Sequence, residues 1–163
     1  MADADVAVTG TETAIGSVSS GVHRKSRILV VEDERHIARL LEHVLVKEGY
    51  EVTVAHDAER GLELIGSAIP DALLLDVVLP GMSGFDLLKK LRQEERWSTL
   101  VVIVLSAQWF NQDDQALGEA GATAQCPKPI APSKLIRKLR ECGIPPLTAV
   151  AGAATTTLRG LQE

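Results

Sequence analysis

Five positions of this chain carry side chains that could work together chemically: the acidic pair Glu32 and Asp33, then Asp76, Ser106 and Lys128. The first four follow short apolar or β-branched runs and Lys128 follows a weaker one, so each falls where a strand would end. Neighbouring strands lie about 4.8 Å apart, and side chains from adjacent strand ends can share one small ligand. Three carboxylates at close quarters repel one another and resist joint ionisation. A hard divalent cation relieves that strain, and oxygen ligands with retained waters suit Mg²⁺. A phosphoryl group would supply further oxygens to the metal. Lys128 would neutralise one phosphoryl oxygen and the Ser106 hydroxyl would hydrogen-bond another. Asp76 can then act as the nucleophile and become an aspartyl phosphate. In-line phosphoryl transfer asks mainly for positioning and charge neutralisation, which this set supplies.

Such a set needs a frame that gathers strand ends. Arg27–Val31 is an apolar run. Residues 34–48 then place Ile37, Leu40, Leu41, Val44 and Leu45 at helical spacing, and Gly49 stops that helix. Residues 51–55 alternate as a strand. Asp57 caps a helix with Ala58, Gly61, Leu62 and Ile65 on one face. Pro70 closes that unit, and residues 72–75 form a buried strand running into Asp76. Ser83 begins a helix with Phe85, Leu88 and Leu91 inward. Leu100–Leu105 is wholly apolar, and a short helix is expected over Asp113–Ala120, ended by Gly121. Ala122–Cys126 is a weak fifth strand. Pro132 opens a last helix with Leu135, Ile136, Leu139 and Cys142 on one face.

Five strands alternating with five helices predict an α/β fold, a parallel sheet covered on both faces. Right-handed crossovers leave few topologies, and the doubly wound order 2-1-3-4-5 is the expected one. In that order the winding reverses between strands 1 and 3, and a crevice opens at their carboxyl ends.

Composition narrows the function further. The chain has 163 residues, enough for one ordinary domain with tails. Aromatics are only 3%, so Val, Leu, Ile and Ala must build the core. A net charge of −5 argues against nucleic-acid binding, and no apolar run approaches a membrane span. The first residues lack the basic and apolar regions of a secretory signal. Cys126 and Cys142 form neither a metal spacing nor a disulfide framework, so a cytoplasmic, reducing compartment is expected. Residues 1–26 read as a disordered tail, 27–144 as the domain, and 145–163 as a flexible tail too short for a DNA-binding output domain.

The strings ILVVEDE, LLLDVVLPGMSGFDLL, VIVLSA and CPKPI together resemble the response-regulator receiver domain of two-component signalling. The resemblance covers Arg27–Gly143 and implies a flavodoxin-like receiver fold of the stand-alone type. It also implies roles. Asp33 would hold Mg²⁺ directly and Glu32 largely through water, with the backbone carbonyl of Val78 as a third protein ligand. Asp76 matches the phosphoacceptor, and Ser106 the hydroxyl that moves toward the phosphoryl group. Ala107 matches a small position that leaves room for the donor. Lys128 matches the essential lysine, and the Lys128–Pro129 bond one that is usually cis. The implied donor is a histidine kinase or histidine phosphotransfer protein. Output would be contact with an unknown downstream protein, or phosphorelay, from a monomer or weak dimer. The domain would catalyse only its own phosphorylation and dephosphorylation. One position departs from the pattern. Receivers usually carry Tyr, Phe or His three residues before the lysine, where the ring turns with the Ser/Thr as a switch. Here Gln125 stands there, and Trp109 and Phe110 are candidate substitutes.

Plainer roles fit other residues. Glu34 belongs to a solvated first helical turn, and His36 and His43 to a helix surface. Gly81 and Gly84 are structural, because no Lys-Ser/Thr follows as a nucleotide loop requires. Cys142 is expected in the core. Two other functions compete. One is a degenerate receiver serving as a constitutive protein-binding module, with Gln125 marking a lost switch; the intact acidic set argues against it. The other is a phosphohydrolase, which would want a second Asp two residues after the nucleophile, where this chain has Val78.

Overall fold

A computed structural model describes residues 24–107 and 118–147. Most of both expected tails, Gln108, Trp109 and Phe110, and all but the end of the short helix expected over Asp113–Ala120, lie outside the described residues. The elements run β1 (Arg27–Val31), α1 (Arg35–Lys47), β2 (Glu51–Ala55), α2 (Ala58–Ser67), β3 (Ala72–Asp76), α3 (Gly84–Gln93), a 3₁₀ turn (Glu95–Trp97), β4 (Val101–Ala107), β5 (Ala124–Lys128) and α4 (Pro132–Glu141). The strands form one parallel sheet in the order β2-β1-β3-β4-β5, the expected doubly wound arrangement.

Alternation along each central strand splits the core in two. Leu29, Val31, Leu73, Leu75, Val102 and Val104 face α2 and α3. Ile28, Val30, Leu74, Ile103 and Leu105 face α1 and α4. β3 is buried on both faces along its whole length, as a central parallel strand should be. Each such aliphatic side chain contributes roughly 1.5–3 kcal/mol over its exposed state. The helix starts follow the sequence signals. Asp57 accepts the Arg60 N–H at 2.7 Å, Ser83 accepts the Asp86 N–H at 3.1 Å, and Pro132 occupies the first helical turn of α4.

Four details differ from the periodic pattern. α1 buries Ala38, Leu41 and Leu45, while Leu40 is 51% exposed. One position is a 100° turn, so Leu40 rotates off a stripe that Ala38 fills instead. On α3, Leu87 takes the interior, and Phe85 sits at its margin with the Lys89 ammonium 4.3 Å from the ring centre. Cys142 is the C-cap of α4 and only partly buried. β4 runs beyond Leu105 to Ala107, because its pairing with β5 continues through Ala107–Lys128.

Side chains also fasten segments that the backbone leaves separate. Arg92, on α3, donates to three carbonyls: Gly121 at 2.8 Å, Trp97 at 3.2 Å and Leu100 at 2.9 Å. Burial pulls its guanidinium below the ordinary arginine range. The buried Tyr50 hydroxyl donates to the Ile144 carbonyl at 2.8 Å, and burial pushes the phenol up to about 12. Asp71 receives Arg24 through both oxygens at 2.7 Å and the Arg27 N–H at 2.7 Å. Ser26 donates to the Pro145 carbonyl at 2.8 Å. Arg24, Ser26 and Pro145 thus belong to the packed unit rather than to the tails.

Candidate functional site

The strand order puts β1 beside β3. The helices that follow them cover opposite faces, so the carboxyl ends are left open between them. β1 leads into Glu32 and Asp33, and β3 ends on Asp76 one residue past the Val31–Leu75 pair. One carboxylate oxygen from each of the three lies within 4.8 Å of the others. Glu32 is fully buried and Asp76 nearly so, while Asp33 is exposed at the rim.

Lys128 ends β5, two strands from Asp76, and reaches back across the end of β4. Its Nζ lies 2.6 Å from Asp76 Oδ2 and 2.9 Å from Glu32 Oε2. The Lys128–Pro129 bond is cis. Burial alone would lower the lysine, but the bonds to Asp76 and Glu32 prevail and hold it above its ordinary value. Burial pushes the Glu32 carboxyl up; the Lys128 contact opposes this and the neighbouring Asp76 adds to it.

The other oxygens of Asp76 and Glu32 have identifiable environments. Asp76 Oδ1 accepts the Val78 N–H at 3.0 Å. Glu32 Oε1 accepts the Glu34 N–H at 3.3 Å. Glu32 Oε2 lies 2.9 Å from Lys128 Nζ without an aligned hydrogen bond, so a buried acceptor is left under-used. Three hard oxygen donors, one cation against three carboxylates, and a buried oxygen short of a partner fit a hard divalent cation.

The amino end of α3 closes the pocket from the side. The Gly84 N–H donates to the Val77 carbonyl at 3.0 Å. A Cβ at Gly84 would collide with the Asp76 carbonyl oxygen and stand 2.8 Å from its carbon. Glycine is therefore what lets the helix reach the strand end, where its amino terminus favours negative charge.

Of the residues expected from sequence, Glu32, Asp33, Asp76 and Lys128 are brought together. Ser106 stands one residue past Leu105, the register partner of Asp76, and is partly exposed at the mouth. Ala107 is exposed and pairs with Lys128. Val78 is 72% exposed beside Asp76. Gln125 lies on the edge strand β5, partly buried and paired with Val104. Two neighbours escape sequence reasoning. His56 Nδ1 lies 3.0 Å from the Glu32 carbonyl oxygen, and Glu59 accepts the Met82 N–H at 3.3 Å. A strand-end position could have drawn notice to His56; no pattern marks Glu59.

A doubly wound five-stranded domain with three carboxylates and a lysine gathered at its switch point has the architecture of a signalling receiver. A family model for the response regulator receiver domain matches residues 28–140, and the chain belongs to that family. It is 41% identical over 116 residues to the transcriptional regulatory protein CpxR of Escherichia coli (strain K12), covering 71% of this chain and 48% of that protein. It is 39% identical over 114 residues to the response regulator MprA of Mycobacterium ulcerans (strain Agy99), covering 70% and 48%. The chain thus spans about half the length of these curated relatives. Among solved structures, it is similar to chemotaxis protein CheY4 of Vibrio cholerae, with a TM-score of 0.69, 28% identity and coverage of 73% of this chain and 99% of that one. A response regulator receiver domain protein from Methanospirillum hungatei JF-1 gives 0.67, 31% identity and coverage of 72% and 93%. No helix among the described residues is long and apolar enough to cross a membrane.

Proposed function

We propose that the chain accepts a phosphoryl group on Asp76, with Mg²⁺ bound by Glu32, Asp33, Asp76 and the Val78 carbonyl. The observation that carries this reading is the buried Asp76, with Lys128 at 2.6 Å on one oxygen and the Val78 N–H on the other. Bound Mg²⁺ would neutralise charge on the entering phosphoryl oxygens. The other work falls to the chain. A carboxylate oxygen of Asp76 forms a bond to phosphorus as the bond from phosphorus to the donor's imidazole nitrogen breaks. The freed imidazole takes up a proton from water. Lys128 transfers its contact from Asp76 to a phosphoryl oxygen, and Ser106 at the mouth donates to another. Hydrolysis later returns the carboxylate and inorganic phosphate, so the domain turns over only its own phosphoryl group. Ala107 and the exposed Val78 leave the mouth open to a donor.

The proposed donor is a histidine kinase or a histidine phosphotransfer protein, with output through contact with a downstream protein. Membership of the receiver family supports both. Intact-protein mass after incubation with acetyl phosphate and Mg²⁺ tests the reading. One added phosphoryl group is expected, absent without metal and absent in Asp76→Asn. A folded protein that gains no mass would refute it and favour a constitutive protein-binding module.

A further inference from the structure

We propose that Glu59 is a positioning residue for the metal-binding loop. Its carboxylate reaches from α2 to hold residues 77–83 in the shape that the acidic site requires. The inference rests on the metal reading above and adds a residue to it.

The loop between β3 and α3 carries Val78, the expected carbonyl ligand, yet it has few holds. The Val78 N–H turns back on Asp76, and the Gly84 N–H on the Val77 carbonyl. Pro80 has no N–H to give. Among the described residues, the hydrogen bonds that fix residues 77–83 from beyond the sheet and α3 reduce to one, from the Met82 N–H to Glu59 Oε1 at 3.3 Å. Gly81 makes the approach possible. Its φ of +74° folds the loop back, and a Cβ there would stand 3.3 Å from that same oxygen. Glu59 itself is fixed from below. It sits in the first turn of α2, which Asp57 caps and where Ala58 is fully buried. The geometry is a strut from a rigid helix to the middle of a loop whose first residues touch Asp76.

The full-length chain with three side chains at position 59 tests this. Mg²⁺ alone is titrated by calorimetry, and amide exchange is followed at Met82. Glu59→Ala should weaken Mg²⁺ half-saturation by about threefold to tenfold, the range expected for one hydrogen bond, and speed Met82 exchange to a similar degree. Glu59→Gln keeps the acceptor oxygen and should restore both. Unchanged Mg²⁺ affinity in Glu59→Ala, with wild type binding Mg²⁺, overturns the inference and leaves the phosphoacceptor reading standing. A Gln variant as weak as Ala also overturns it, since charge alone would then explain the effect. Wild type that binds no Mg²⁺ sinks both proposals together. A Glu59→Ala protein that loses thermal stability without a change in Mg²⁺ affinity or Met82 exchange counts against positioning.

Discussion

Replacing Lys128 with Met removes the cation from between two buried carboxylates and keeps much of the side-chain volume. Without metal the variant should be less stable. Breaking a fully buried ion pair by deleting one partner costs about 3–5 kcal/mol. Lys128 is 20% exposed at an open mouth, so about 2–3 kcal/mol is expected here. Mg²⁺ should behave in the opposite way. Two unit charges about 5 Å apart at an effective dielectric near 20 interact by about 3 kcal/mol, and a divalent ion doubles this. The exposed rim at Asp33 lets solvent screen most of it. Removing the repelling ammonium should still tighten Mg²⁺ binding by about tenfold, or about 1.4 kcal/mol. Urea unfolding with and without saturating MgCl₂ reads both effects. The metal should raise the midpoint of Lys128→Met more than that of wild type, by linkage. Phosphorylation from acetyl phosphate should fall nonetheless, because the cation for a phosphoryl oxygen is gone. Equal Mg²⁺ increments in the two proteins would refute the idea that lysine and metal neutralise one charge cluster.

Gly84→Ala should lose about 2 kcal/mol, because its methyl meets backbone that cannot rotate away, whereas Gly66→Ala meets nothing within 4 Å and should gain up to about 0.5–1 kcal/mol; chemical denaturation of both checks this. Asp71 is held below its ordinary pKa chiefly by Arg24, so its contribution is present above about pH 4 and fades as pH falls through the lowered value. Asp71→Asn should therefore be less stable than wild type at neutral pH, with the gap closing in acid; parallel midpoints from neutral to acid pH would contradict it. Tyr50 is the chain's one tyrosine, so phenolate absorbance isolates it. The folded protein should ionise near 12 rather than 10, and stability should fall between those values as the unfolded phenol loses its proton first. Tyr50→Phe should cost about 1 kcal/mol by leaving the Ile144 carbonyl without that donor.

The acidic site was legible because its residues are punctuation. Asp76 closes a run whose apolar character fixes it as a strand, Lys128 closes a weaker one, and strand order then decides which ends meet. The two-sided core of β3 follows from the same unbroken ALLLD run. What stayed hidden depends on distances across the fold. Arg92 and Glu59 sit on helix surfaces where a charged residue is ordinary, and only the neighbouring turn gives them partners. Leu40 shows the converse. Its spacing fits a helical stripe, but a small Ala38 at the packed seam leaves it outside. The strand through Ser106 and Ala107 was also longer than its apolar letters, because pairing with β5 rather than hydrophobicity sets its end.

The Ser26–Pro145 contact has a topological consequence. The chain comes in at the amino edge of β1 and leaves after α4 at nearly the same point, joined by one 2.8 Å hydrogen bond. The strands between that edge and the acidic pocket are five residues long, roughly 16 Å of separation. The chain thus enters and leaves the domain at one end, with its chemistry at the far pole. New termini could be opened elsewhere, or the whole unit set into a surface turn of another protein, without threading anything past Asp76.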